Sequence, residues 1–403
     1  MTAAAVAPRR AGPGRPSALL HSLTLDGASV SAQLRIGARD HTLAYTVTGA
    51  PVERRYEPFL VAAVPVAMAT ARSLSVQEPV SPRLLGALDQ IQAIFSAWWP
   101  DLRRIEVYAE PGAAPPEADR GTVAFFSGGV DSFYTVLRNI DEVDSLVYVR
   151  GFELPLHHTA QLKRMSAATR GVAAELGLPL IEVETNLRDT LDPLVGLIRH
   201  HGALLASVGL LLGSQAQRVL LPASFSYREL VPRGSHALLD PLWSTERVQI
   251  VHEGVAPRVE KVELVSRSEV AMRSLRVCFQ PDAGLNCGRC PKCLRTMAEL
   301  QIVGALERCE TLPHDLRLSA LARIPMRTET HVAIARSHAR EARARGADPA
   351  LVATFRVLQA EGSLFVAARP SSSGPAARLW KLGAAAKRRA RRWIERIRST
   401  HRS

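Results

Sequence analysis

The sequence predicts an α/β fold: a doubly wound parallel sheet over residues 120–310, with a small α+β domain at 21–110 before it. A helical extension at 311–370 and a basic helical tail at 371–403 follow. Three observations predict this. From Thr122 to Ala223, apolar runs without polar alternation recur between helical stretches, the pattern of parallel strands covered on both faces. Shorter alternating segments crowd the region after residue 20. Basic residues collect at the C-terminus.

Residues 1–20, rich in Ala, Pro, Gly and Arg without a period, read as disordered. His21–Leu25, Ala32–Ile36 and Thr42–Thr48 alternate as strands do, and Phe59–Val64 reads as a buried strand. Ser81 and Pro82 start a helix that runs to about Trp98, with Leu84, Leu85, Leu88, Ile91, Ile94 and Phe95 on one side. Ile105–Tyr108 gives one more strand. Pro111 to Asp119 is a linker, since its prolines and small residues oppose packed structure. Strands at Thr122–Phe126, Ser145–Val149, Leu180–Glu184 and Val219–Ala223 then alternate with helices at 131–140, 159–176 and 191–212. Ala203–Gly213 is the longest apolar run noted and reads as a buried helix, too short for the roughly 20 residues that span a bilayer. Val366–Pro370 and Ser371–Gly374 read as a flexible hinge before a basic helix.

The 403 residues are 47% hydrophobic and 22% charged, which fits a globular chain with a sizeable core. The net charge of +13 resembles a nucleic-acid signal until it is located. Residues 378–402 hold ten basic side chains against one acid, Glu395, so the body is close to balanced. No apolar segment follows Arg9 and Arg10, and only five Cys occur. Both point to a reducing, cytoplasmic setting in which thiolates bind metal.

The most specific local signal is Ser127-Gly128-Gly129-Val130-Asp131-Ser132, which breaks an apolar strand and opens a helix. Adjacent glycines let backbone N–H groups turn inward, and a helix N-terminus adds unsatisfied donors. Ser127 and Ser132 can donate hydroxyls to phosphate oxygens. Asp131 beside a polyphosphate calls for a bridging Mg²⁺. A ligand-free Ser/Gly turn is the plain alternative. The hexapeptide resembles the SGGxDS loop of the PP-loop ATP pyrophosphatase superfamily. That resemblance implies an adenine nucleotide alpha hydrolase-like domain that binds ATP on these six residues and releases AMP and pyrophosphate. Ser127, Asp131 and Ser132 would then be catalytic.

Cys278, Cys287, Cys290 and Cys293 are spaced for a closed tetrahedral Zn²⁺ site, with Arg289, Lys292 and Arg295 offsetting its charge. An iron–sulfur cluster is the rival reading. Together with the phosphate loop, this spacing resembles 7-cyano-7-deazaguanine synthase and its relatives over residues 120–305. The resemblance implies a structural zinc. It also implies adenylation of a carboxylate or amide carbonyl for attack by ammonia or an amine, a C–N ligase reaction of the kind used in queuosine synthesis. Thiolation of a tRNA base and ATP binding by a non-catalytic scaffold are the alternatives.

Substrate candidates lie in loops after the strands, where ligands of open α/β sheets bind. Arg150, Glu153, His157 and His158 follow the second strand. Arg228, Arg233, His236 and Trp243 lie in the polar loop after the fourth, with arginines suited to a carboxylate and Trp243 to a planar ring. Asn186 and Arg188 are weaker candidates. The basic tail, with Trp393, Ile394 and Ile397, is suited to an anionic membrane or to nucleic-acid phosphates, or serves only to keep the chain soluble.

Overall fold

The computed structural model describes residues 17–113, 119–278, 280 and 284–368. Alternation near the N-terminus becomes an antiparallel meander of β1 (Ser17–Asp26), β2 (Ser29–Ile36) and β3 (Arg39–Thr48). Because β1 starts at Ser17 and buries Ala18 and Leu20, the stretch 1–20 is not wholly disordered as the sequence suggested.

Phe59–Val64, expected as a strand, lies instead in α1 (Glu57–Thr70), where every residue from Glu57 to Met68 is buried. A run buried on all sides carries no period, so strand and helix look alike in it; its length favours the helix. β4 (Ser73–Val76), α2 (Pro82–Trp98) and β5 (Val107–Tyr108) follow. The Ser81 hydroxyl caps α2 by accepting the Leu84 N–H at 3.0 Å.

The next elements alternate: β6 (Gly121–Phe125), α3 (Val130–Arg138), β7 (Ser145–Arg150), α4 (Thr159–Glu175) and β8 (Leu180–Thr185). The single helix expected over 191–212 is two, α5 (Leu187–Val195) and α6 (Leu197–Leu211), separated at Gly196. β9 (Ala216–Pro222), β10 (Gln249–Glu253), α7 (Arg258–Val265), α8 (Glu269–Ser274) and α9 (Pro291–Ile302) complete this part.

All ten strands share one sheet, in the order β10-β9-β6-β7-β8-β3-β2-β1-β4-β5. From β10 to β8 every neighbour is parallel. β3 joins β8 antiparallel, with Tyr45 opposite Thr185. Residues 21–110, expected as a separate domain, therefore extend the sheet of residues 120–310 within one compact unit that ends at Leu316. Successive strand residues serve opposite faces. Phe125, Val147, Val219 and Leu221 join one core with α1 and α6 residues; Ala124, Phe126, Leu146 and Leu220 join another with residues of α3, α7 and α9. The parallel region is thus covered on both sides, as a doubly wound sheet requires.

A second unit begins at Arg317. Its described helices are α10 (Leu318–Leu321), α11 (Glu329–Ala344) and α12 (Pro349–Ala367), with α11 packed on α12. Of the hinge expected from Val366, the described part is the end of α12. The basic tail and residues 114–118 of the linker lie outside the described residues.

Candidate functional site

β6 sits between β9 and β7, so the chain leaves it in one direction for β7 and β8 and returns on its other side for β9. Crevices form at the carboxyl ends of strands where the order reverses in this way. The crevice here is a cavity of about 300 Å³ lined by Ser127, Gly129, Val130, Asp131 and Ser132 after β6, and by Pro222 and Ser224 at and after β9. Gly128 turns the loop with a φ of +76°, a region closed to most side chains. Gly129 then caps α3. The Ser132 hydroxyl donates to the Gly129 carbonyl at 2.9 Å and accepts the Ser127 N–H at 3.2 Å, so it braces the loop rather than facing outward. The first helical bond is Phe133 N–H to Gly129 O at 2.9 Å. The N–H groups of Val130, Asp131 and Ser132 therefore have no helical carbonyl to meet, and this first turn suits an anion.

Cations from distant parts of the chain surround the loop. The Arg276 backbone N–H donates to Gly128 O at 2.8 Å, and its guanidinium donates to Ser127 O at 2.6 Å and to Glu153. Asp131 Oδ1 lies 2.9 Å from the Arg258 guanidinium and 3.1 Å from Lys261 Nζ. Lys261 also donates to Ala223 O, and Arg258 reaches Glu299 at 3.1 Å. Burial opposes ionisation of Asp131, yet Arg258 and Lys261 hold its carboxyl below the usual range. The electrostatic cost that called for a Mg²⁺ ion at Asp131 is met here by two protein cations. Lys292 and Arg295 complete the cationic wall, and burial lowers the Lys292 ammonium to about 8.

The four cysteines converge. Their Sγ atoms all lie within 4.8 Å of one another, with Cys278–Cys290 at 3.8 Å, Cys287–Cys293 at 3.9 Å and Cys290–Cys293 at 3.5 Å. A tetrahedral ion with bonds of ~2.3 Å sets sulfurs about 3.8 Å apart. A four-iron cluster bonds each thiolate to a different iron and spreads the sulfurs wider. The cluster can hold a single metal ion such as zinc. Gly288, at φ +68°, makes its turn against Pro313, whose Cγ would lie 2.5 Å from an added Cβ. Cys290 also caps α9, the helix that carries Lys292, Arg295 and Thr296 into the cavity wall. Lys292 and Arg295, expected to offset the thiolate charge, line the cavity.

The other expected residues divide. Glu153 lines the cavity, joined by Ser235, which the sequence did not single out; Arg150, His157, His158, Arg228, His236 and Trp243 are not in its lining. Trp243 is a correction: it is fully buried against Phe95, with ring centres 6.3 Å apart, so no planar ligand can stack on it. His236 is buried edge-on to Trp98, and its Nδ1 accepts the Leu238 N–H at 3.0 Å. Arg150 pairs with Glu184 at 2.9 Å, and the His157 and His158 rings lie 4.4 Å apart. Arg228 is exposed, and Arg233 covers the Phe225 ring. Asn186 ties the end of β8 to β3 through Thr42 and Ala44, and Arg188 pairs with Asp192 at 2.9 Å.

Sequence reading missed Arg258, Lys261, Arg276 and His201. One signal was present: 46 of the 51 Lys and Arg residues are Arg, and two of the few lysines, Lys261 and Lys292, lie at this site. His201, on α6, lines the cavity, and burial followed by the nearby Arg233 lowers its imidazole to about 4. The unfolded chain holds that proton up to about 6.5 and the folded chain releases it near 4, so folding stability should fall as pH drops through this window. Urea titrations at pH 7 and pH 4.5 should show His201→Gln flattening the loss by about 2 kcal/mol. An unchanged pH slope in the variant would refute this assignment. No protein-family model, curated protein or solved structure matches the chain.

Proposed function

We propose that this protein binds ATP with its phosphates on the Ser127–Ser132 loop and releases pyrophosphate while activating a carboxylate or amide carbonyl. The observation that carries the reading is a glycine loop opening a helix at the sheet's switch point, ringed by Arg258, Arg276, Lys292 and Arg295. A substrate oxygen attacks the α-phosphorus, the bond to the bridging oxygen breaks, and negative charge grows on the departing pyrophosphate. Loop N–H groups and fixed cations stabilise that charge without having to reorganise. Ammonia or an amine then displaces AMP from the activated carbonyl to form a C–N bond, chemistry similar to that of 7-cyano-7-deazaguanine synthase. Mg²⁺ would enter with the nucleotide. Thiolates held together as in the Cys cluster suit a reducing compartment such as the cytoplasm.

Incubating the purified protein with ATP, ammonium and a pool of carboxylates tests this. AMP and pyrophosphate are expected in equal amounts, with both lost in Gly128→Val, since a branched side chain strains the turn at φ +76°. ADP and phosphate as products, or ATP binding with no turnover on any carboxylate, would overturn it, the latter in favour of a scaffold. A coloured iron-containing protein would favour the thiolating alternative.

A further inference from the structure

α12 is the longest helix among the described residues, and the only one of them long and apolar enough to cross a membrane by length and composition. One side is occupied: Leu351, Val352, Phe355, Leu358 and Gly362 are buried. Gly362 lies so close to its surroundings that an added Cβ would come within 2.7 Å of Met326 and 2.8 Å of Val332. A helix bound to its own unit in this way would have to abandon that packing to span a bilayer.

The opposite side carries Ala353, Val357, Ala360, Leu364 and Ala367, spaced four, three, four and three residues apart, and all of them are exposed. Val357 is 48% and Leu364 73% exposed. This spacing lines up one face of a helix. Arg356 and Glu361, also exposed, flank it. The apolar stripe runs toward the end of α12, and the chain beyond it enters the segment with ten basic residues and one acid.

We propose that the outer face of α12 docks, in the plane, on an anionic lipid bilayer, to which the positive charge of the sequence after it adds attraction. Each alternative partner explains half of the surface. Nucleic-acid phosphates would satisfy the arginines but give the apolar stripe nothing to bury against. A second copy would cover the stripe but would leave the ten basic residues without counter-charge. A lipid surface with negative headgroups over acyl chains answers both, and charge and burial add in such interfacial binding.

Flotation of the full chain with vesicles of phosphatidylcholine, with and without phosphatidylserine, tests this. Binding is expected only with phosphatidylserine and should weaken as salt rises. Val357→Asp with Leu364→Asp should weaken it at least about tenfold, because both side chains lose their apolar burial. Replacing Lys387, Arg388, Arg389, Arg391 and Arg392 by Gln should weaken it by at least as much. Both aspartate sites are exposed, so the variant's circular dichroism should match the parent; if it does not, Leu364→Gln alone decides. Flotation that survives the α12 substitutions would overturn the proposal, as would equal binding to uncharged vesicles. So would competition by RNA that ignores the α12 substitutions, or a dimer that they dissociate.

Discussion

On the proposed reading, stripping a metal ion bound by Cys278, Cys287, Cys290 and Cys293 is expected to weaken ATP binding about a hundredfold. Two walls of the cavity hang from these cysteines. Arg276, which holds the carbonyls of Ser127 and Gly128, lies two residues before Cys278. The same segment is pinned by Asn286, whose Oδ1 accepts the Val277 and Cys278 N–H groups at 2.8 and 3.2 Å and which itself adjoins Cys287. On the other wall, α9 starts at Cys290 and points Lys292 and Arg295 into the cavity. Without an ion the four sulfurs take up protons and lose the bonds that hold them together, and the segments they end can then separate. Losing two charge-assisted contacts to phosphate costs about 3 kcal/mol, or roughly a hundredfold in affinity. Titration calorimetry with ATP before and after dialysis against a chelator, and on Cys290→Ser, measures this. Metal-free protein that stays folded and binds ATP with unchanged affinity would show that the cluster serves its own segment alone.

The parts of this site legible in the sequence are those whose chemistry lies within a few residues. Two glycines between an apolar strand and a helix announce the Ser127–Ser132 turn, and the cysteine spacing announces that the four sulfurs can meet. The cationic wall is different in kind. Arg276 reaches Ser127 across 149 positions, and Lys261 reaches Asp131 across 130. No local period records such pairings. The same distance hid the junction of the N-terminal strands with the rest of the sheet, because the β3–β8 pairing joins segments that look self-sufficient. Burial hid α1 by erasing its period, and it misled at Trp243, where a large aromatic in a polar loop looked available to a ligand but is held in the core. β10 escaped notice because Gln249-Ile-Val-His-Glu253 offers only two apolar residues.

Asp131→Ala is expected to destabilise the protein by about 2–4 kcal/mol before it reports on any nucleotide. The Lys261 side chain is 1% exposed and Arg258 15%, and Asp131 is the carboxylate that both meet at 3.1 and 2.9 Å. Without it, Lys261 keeps the Ala223 carbonyl and the Tyr134 ring, 5.8 Å away, and two cations face each other across a gap. Removing one partner of such a cluster leaves charge in a poorly solvated place, which costs more than the cluster contributes when complete. Adding Lys261→Met to Asp131→Ala should therefore restore part of the stability, and chemical denaturation of the four proteins in a double-mutant cycle would give that coupling. Additive losses would mean that the ammonium does not depend on the carboxylate. The pH dependence has a definite sign. The folded carboxyl lies below its ordinary 3.8, so its stabilisation is complete above that value and is lost as acid takes the pH down through the lowered one. Asp131→Asn keeps the shape without the charge and is the better probe of ATP. If Arg258 and Lys261 already balance Asp131, the asparagine variant should bind Mg²⁺–ATP within about tenfold of the parent, since freed cations compensate for a lost acid near phosphate. A larger loss that appears only when Mg²⁺ is present would assign the ion to Asp131 after all.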